Sequence, residues 1–222
     1  VCRTLNAFTL PVADTVLGYI LVFARRQLWM DRDMKSWKWE KIPGKSLSEN
    51  TLGVIGVGNI GKAVTRRACA FGMKVYGTDI IDIDQIFITE TGIEMTDLKS
   101  LLAHSDFISV NCDLNSTSYH LINRETLACA RPNAVLINTA RGPIVDEEAL
   151  TEALQAGRLA GAALDVFEQE PLPLESPLLK MDNVMLAPHN SNSSPAAWER
   201  VHWNTIKNLI EGLGLKYEDN LP

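Results

Sequence analysis

The stretch from Thr51 to Asp79, TLGVIGVGNIGKAVTRRACAFGMKVYGTD, leaves the chain little freedom in how it folds. It opens on an apolar run, Leu52 to Ile55, of the kind that forms a strand buried on both faces. Gly56-Val57-Gly58-Asn59-Ile60-Gly61 follows, which is G-x-G-x-x-G. Apolar residues then recur at three-to-four spacing (Ala63, Val64, Ala68, Phe71), so residues 60–71 read as a helix, closed by Gly72. A second strand, Lys74 to Thr78, runs into Asp79.

Each part has a physical task. Gly56 permits the tight turn out of the strand. Gly58 lets backbone approach a pyrophosphate, and Gly61 lets the helix lie close to the strand. The helix start, at Asn59 and Ile60, turns free N–H groups toward the anion. Asp79, 18 residues past Gly61, stands where a carboxylate accepts both ribose hydroxyls of an adenosine. Ile80-Ile81-Asp82 offers no cation for a 2′-phosphate, so the pattern favours NAD over NADP. The order of strand, motif, helix, strand and acid predicts a dinucleotide site.

The rest of the chain extends that unit. Short apolar strands are expected at residues 106–110, 134–138, 162–166 and 184–187. Helices are expected at 97–103, 124–129, 146–156 (closed by Gly157) and 193–213. Strands alternating with helices predict an α/β fold, a doubly wound parallel sheet. Ahead of it, residues 1–10 read as a strand end and loop, and residues 11–27 as a helix apolar on most sides, which needs a cover. Residues 30–49 show no clean period and read as a surface connection, with Trp29, Trp37 and Trp39 packed beneath it.

Composition closes off other classes. The chain has 222 residues, 46% hydrophobic and 22% charged, with net charge −6. Without a basic patch, nucleic acid is not an expected partner. Arg25-Arg26 and Arg66-Arg67 read as solvated helix faces. The apolar run at residues 11–24 carries Asp14 and is too short to span a bilayer, so no membrane is expected. Gly44-Lys45-Ser46 imitates the end of a P-loop, but Trp39 holds the upstream glycine position. Cys2, Cys69, Cys112 and Cys129 have no metal-ligand spacing, so no metal is expected. They suit a reducing, cytoplasmic setting. The sequons at Asn115 and Asn192 read as accidental.

In an open parallel sheet, ligands bind beyond the carboxyl ends of the strands. Residues just past each predicted strand are therefore the candidates for chemistry. They are Asn111 and Asp113; Thr139, Ala140, Arg141 and Gly142; Asp165, Glu168 and Glu170; His189 and Asn190. His104, His120 and His202 fall in helix or loop contexts and read as structural or solvent-facing.

These residues are familiar together. Val54 to Gly61, Ile137 to Gly142, Ala163 to Phe167 with Glu170-Pro171, and Ala187-Pro188-His189 resemble the NAD-binding domain of the D-isomer-specific 2-hydroxyacid dehydrogenases, over residues 10–213. The resemblance implies a Rossmann domain at residues 51–190, preceded by a connecting segment (1–50) and followed by a return helix (191–222). Most of the substrate domain would be absent, and the chain, lacking an initiator methionine, is expected to be a fragment. It implies an enzyme interconverting a small 2-oxo acid and a D-2-hydroxy acid with NAD, and a homodimer. Arg141 would clamp the substrate. His189 would be the acid/base, with Glu170 as its partner favouring the protonated form, and Asp165 would hold the nicotinamide carboxamide. The implied cofactor contacts also include Asn111, Cys112, Ser118, Thr139, Ala140, His189 and Asn190. Asn111-Cys112-Asp113 replaces the usual H-x-P, Ser118 stands for a common threonine, and Asn190-Ser191-Asn192 is bulkier than usual. The competing class is an NAD(H)-sensing, corepressor-like binding protein that needs no catalysis.

Overall fold

The structure is a computed structural model that describes Thr4 and residues 6–215. Cys2, most of residues 1–5, and the end of the expected 191–222 segment lie outside the described residues. In chain order the elements are helices α1 (Thr9–Arg25) and α2 (Gln27–Lys35), strand β1 (Thr51–Ile55), α3 (Asn59–Ala70), β2 (Lys74–Thr78), α4 (Gln85–Thr91), β3 (Glu94–Met95), α5 (Leu98–His104) and β4 (Phe107–Val110). There follow α6 (Arg124–Leu127), β5 (Val135–Asn138), α7 (Glu147–Gln155), β6 (Gly161–Leu164), β7 (Val184–Leu186) and α8 (Pro195–Gly212).

The strands form one sheet in the order β3-β2-β1-β4-β5-β6-β7, every pair parallel. Chain direction across the sheet reverses between β1 and β4. That is the switch point at which doubly wound sheets open a ligand crevice. Helices cover both faces, and the strands divide their side chains between two cores with a period of two. Phe107, Val135, Ile137 and Ala163 enter the core shared with α1 and α3. Their neighbours Ile108, Leu136, Ala162 and Leu164 enter the core shared with α5 and α7. α1 is an integral layer: Val16 and Ile20 are fully buried, and Asp14 accepts from Arg67 of α3 at 2.8 Å.

Short polar residues start the helices where the sequence places them. Asp97, Asn123 and Asp146 accept amide hydrogens at the starts of α5, α6 and α7. Gly72 and Gly157 follow α3 and α7 with positive φ.

Two expectations need correcting. The first helix ends at Arg25, Arg26 turns left-handed (φ 55), and residues 27–35 form α2 instead of a structureless connection. No residue of α2 is buried, so the apolar period that betrays a helix is missing. The tryptophans are not all packed beneath the loop. Trp29 meets Phe23 edge-on at 5.2 Å under Arg26, but Trp37 is 97% and Trp39 86% exposed. Among the described residues, no helix is long and apolar enough to cross a membrane.

Candidate active site at the carboxyl edge of the sheet

A cleft of about 780 Å³ opens at the switch point. Gly56, Gly58, Asn59 and Ile60 line it from the glycine turn, Asp79 from β2, and Asn111, Cys112 and Ser118 from the segment after β4. Gly56 has φ 87, and a Cβ there would meet the Cys112 amide at 2.6 Å. A Cβ on Gly61 would lie 2.0 Å from the Gly56 carbonyl oxygen, whereas one on Gly58 would meet nothing within 4 Å. Gly56 and Gly61 are thus glycines because protein is already there, and Gly58 borders open space. No side chain caps α3, whose first turn begins at this opening. An uncapped helix start bordered by open space is a fit for a pyrophosphate.

Asp79 fixes the turn as well as lining the cleft: its carboxylate accepts the Val57 amide at 2.6 Å and the Ile81 amide at 3.2 Å. The segment from Asn6 to Thr9 also lines the cleft, and Asn6 accepts from the Asn59 amide group at 2.6 Å. Sequence reasoning missed this segment, which carries no pattern of its own. Burial pushes the Cys112 thiol up to about 11, against a lowering backbone hydrogen bond, and the charges of Asp113 and Asp79 add to the rise. Ser118 spends its hydroxyl within its own loop, donating to the Asp113 carbonyl at 2.6 Å.

Farther along the same edge a second, apolar cleft of about 540 Å³ holds Glu170 and His189. His189 Nδ1 lies 2.9 Å from Glu170 Oε2, and Glu170 Oε1 accepts the Phe167 amide at 3.1 Å. Burial works to raise the Glu170 carboxyl, but the bonds from His189 and the Phe167 amide, with the nearby charges of His189 and Arg141, hold it below the ordinary carboxylate range. Arg141 follows β5 on the same carboxyl edge of the sheet. Arg141 is exposed, donates to the Ala140 carbonyl at 2.6 Å, and has no carboxylate partner among the described residues. A free guanidinium, an imidazole and a carboxylate can together bind a carboxylate-bearing carbonyl compound and exchange a proton with it.

Gly61, Thr139, Ala140, Arg141, Asp165 and Asn190 line neither cleft, and His189 lines the apolar one only. Asn138 shapes the loop between β5 and Arg141 by accepting from Ala140 N and donating to the Arg141 carbonyl. The Thr139 hydroxyl is buried and has no hydrogen-bond partner among the described residues, leaving a donor of the sort a bound group satisfies. Asp165 is fully buried, with both carboxylate oxygens on backbone amides of residues 190 and 191. His104 bonds the Ser100 carbonyl through Nδ1. His120 pairs with Glu168 at 2.9 Å, which no sequence signal indicated.

Comparison with known proteins gives a consistent answer. The family model described as D-isomer specific 2-hydroxyacid dehydrogenase, NAD binding domain, matches residues 17–191. A glyoxylate reductase of Thermofilum pendens is 42% identical over 219 residues, covering 95% of this chain and 64% of the relative. A hydroxypyruvate reductase of Thermotoga maritima is 39% identical, covering 97% of this chain and 70% of the relative. Among solved structures, a D-lactate dehydrogenase from Aquifex aeolicus complexed with NAD and lactic acid superposes with a TM-score of 0.85 at 31% identity, over 93% of this chain and 68% of that one. The chain spans just under two thirds of the length of the first of these relatives. It belongs to the D-isomer specific 2-hydroxyacid dehydrogenases, and the part of them it carries is the NAD-binding domain.

Proposed function

We propose that the chain is the cofactor half of an oxidoreductase that interconverts a small 2-oxo acid and a D-2-hydroxy acid with NAD(H). The observation that carries this reading is the His189–Glu170 pair, 2.9 Å apart, on the carboxyl edge of the sheet where Arg141 follows β5. The names of the relatives, glyoxylate and hydroxypyruvate reductase, point to two- or three-carbon acids.

The glycine turn and the start of α3 hold the pyrophosphate, and Asp79 takes the ribose of the adenosine end, which favours NAD over NADP. Bound there, the nicotinamide supplies or accepts the hydride at the carbonyl carbon. Arg141 binds the substrate carboxylate through its planar donor fork and fixes the carbonyl beside His189. In reduction His189 gives its proton to the carbonyl oxygen as that oxygen becomes a hydroxyl; in oxidation it takes the proton back. Glu170 holds the ring by Nδ1 and leaves Nε2 for the substrate. The apolar wall of Phe167, Leu172 and Leu186 keeps water from the reacting atoms.

Exposed Ile206 and Leu209 on α8, with Leu213 just past its end, form a face for a second, substrate domain. The exposed Trp37 and Trp39 after α2 suit the interface of a homodimer, and a monomer in ultracentrifugation at high concentration would remove that part. Free Cys69, Cys112 and Cys129 suit the cytoplasm.

The test is a panel of 2-oxo acids with NADH, followed by nicotinamide absorbance on the complete protein. Turnover of glyoxylate or hydroxypyruvate is expected. Tight NADH binding with no turnover of any 2-oxo acid would point instead to a cofactor-sensing protein.

A further inference from the structure

The turn that presents His189 is held by one buried carboxylate. Asp165 directly follows β6 and is 0% exposed. Its backbone carbonyl accepts the His189 amide at 2.8 Å, its Oδ1 the Asn190 amide at 2.7 Å, and its Oδ2 the Ser191 amide at 2.8 Å. Three consecutive amides therefore converge on a single residue. Successive N–H groups curled around a left-handed residue form a concave nest that favours an anion. Here His189 is that left-handed residue, with φ 53, and the anion is part of the chain itself.

We propose that Asp165 is a positioning residue for the acid–base group: its carboxylate locks residues 189–191 into the turn that aims the His189 imidazole at Glu170. A non-glycine residue with positive φ persists only where its surroundings hold it. The three bonds from Asp165 do so. Asp165 also opens the segment that carries Glu170. Its carboxylate borders neither cleft, and each oxygen already accepts a short, charge-assisted bond. Its charge is felt within the fold: burial first, and then Asp165, push the Tyr19 phenol of α1 up to about 12. This geometry assigns the residue to the turn.

The catalytic consequence rests on the acid–base role proposed for His189; the hold on the turn does not. The two are tested separately. Amide hydrogen exchange by NMR on this chain, with and without NADH, reads the turn alone. The Asn190 and Ser191 amides should be protected and stay protected when NADH is bound. Release of either into fast exchange on NADH binding would mean that the carboxylate turns to the cofactor, and would overturn the proposal. In the complete protein, Asp165→Asn should lower kcat about 100-fold, the scale of a reacting group misplaced by an ångström. NADH affinity should stay within about threefold, and adding Asp165→Asn to His189→Gln should cost little more. Unchanged kcat, or weakened NADH binding with kcat kept, would equally overturn it. If Asp165→Asn does not fold, the exchange measurement on the unaltered chain still decides. If no 2-oxo acid is turned over, the proposed reaction fails while the exchange result stands on its own.

Discussion

The Val57 amide donates to Asp79 Oδ2 at 2.6 Å, so the acid that ends β2 also fastens the turn that ends β1. One carboxylate thus serves both ends of the cofactor cleft: it shapes the glycine turn and presents charge where the adenosine ribose is expected. Asp79→Ser combined with Ile80→Arg should shift the preference from NADH toward NADPH, because a cation replaces the charge that repels a 2′-phosphate. The ratio of the two dissociation constants, from nicotinamide fluorescence, measures this. Asp79→Ala alone should weaken NADH through the loosened turn as well as the lost ribose contact. An unmoved ratio in the double variant would mean that the adenosine end is held elsewhere.

The His189–Glu170 pair gives the second prediction. His189→Gln should cost about 10²- to 10⁴-fold in kcat, the range a positioned acid–base group contributes, with NADH affinity kept. Steady-state rates and a binding titration on the same preparation separate the two. Glu170→Gln should lower kcat by less, because the amide can still orient the ring but carries no charge. In the unaltered protein the Glu170 carboxyl is held below its ordinary value, so its negative charge beside His189 is lost only as pH falls through that lowered value. Full activity in His189→Gln would remove the assignment.

The parts of this fold that were legible in the sequence are those where local chemistry and tertiary demand coincide. The glycine turn and Asp79 answer local needs with one residue type, and Asp97 and Asp146 open helices where helices were expected to begin. α4 and β3 went unread for the opposite reason. α4 buries only Phe87, and β3 is two exposed residues at the sheet edge, so neither has enough apolar period to show. The strand-end rule pointed to Glu170 and His189, which the fold brings to 2.9 Å, because it depends on topology alone. It could not tell which way a carboxylate faces. Asp165 and Glu170 look alike in sequence, yet one is engaged by backbone at the foot of a turn and the other pairs with the imidazole. Contacts such as His120–Glu168, 48 residues apart, have no sequence signature at all.

Asp106 gives a prediction for stability in acid. It precedes β4, is 7% exposed, and accepts from the Thr51 amide and hydroxyl at 2.9 Å each and from Asn133 at 2.8 Å, with Arg131 at 3.3 Å. Burial alone would raise its carboxyl; the Thr51 and Asn133 bonds and the Arg131 charge outweigh that and lower it. A folded value below the unfolded one means full stabilisation above the unfolded titration range, lost as pH falls through the folded value. Asp106→Asn should therefore narrow the gap in urea-unfolding free energy between about pH 7 and about pH 3, both measured against the unaltered chain. Asp106→Ala should cost about 0.5–1.5 kcal/mol near neutrality, because it removes the acceptor of the half-buried Thr51 amide. An equal acid sensitivity in Asp106→Asn would assign that sensitivity to other carboxylates.

The glycine turn yields the sharpest contrast, since two of its glycines are glycines for different reasons. At Gly61 an added Cβ would stand 2.0 Å from the Gly56 carbonyl oxygen, a backbone atom that cannot swing aside. Gly61→Ala should force α3 away from the end of β1 and cost about 1–3 kcal/mol, as overpacking does, read from thermal or urea unfolding without any ligand. At Gly58 the same methyl would meet nothing within 4 Å, and its φ of −73 suits alanine. Gly58→Ala should therefore fold as well as the unaltered chain and lose NADH affinity by tenfold or more, because the methyl stands where the pyrophosphate must approach. The two variants separate the scaffold from the site. Intact NADH binding in Gly58→Ala would mean that the pyrophosphate does not lie over this turn, and the cofactor cleft would have to be sought elsewhere on the sheet edge.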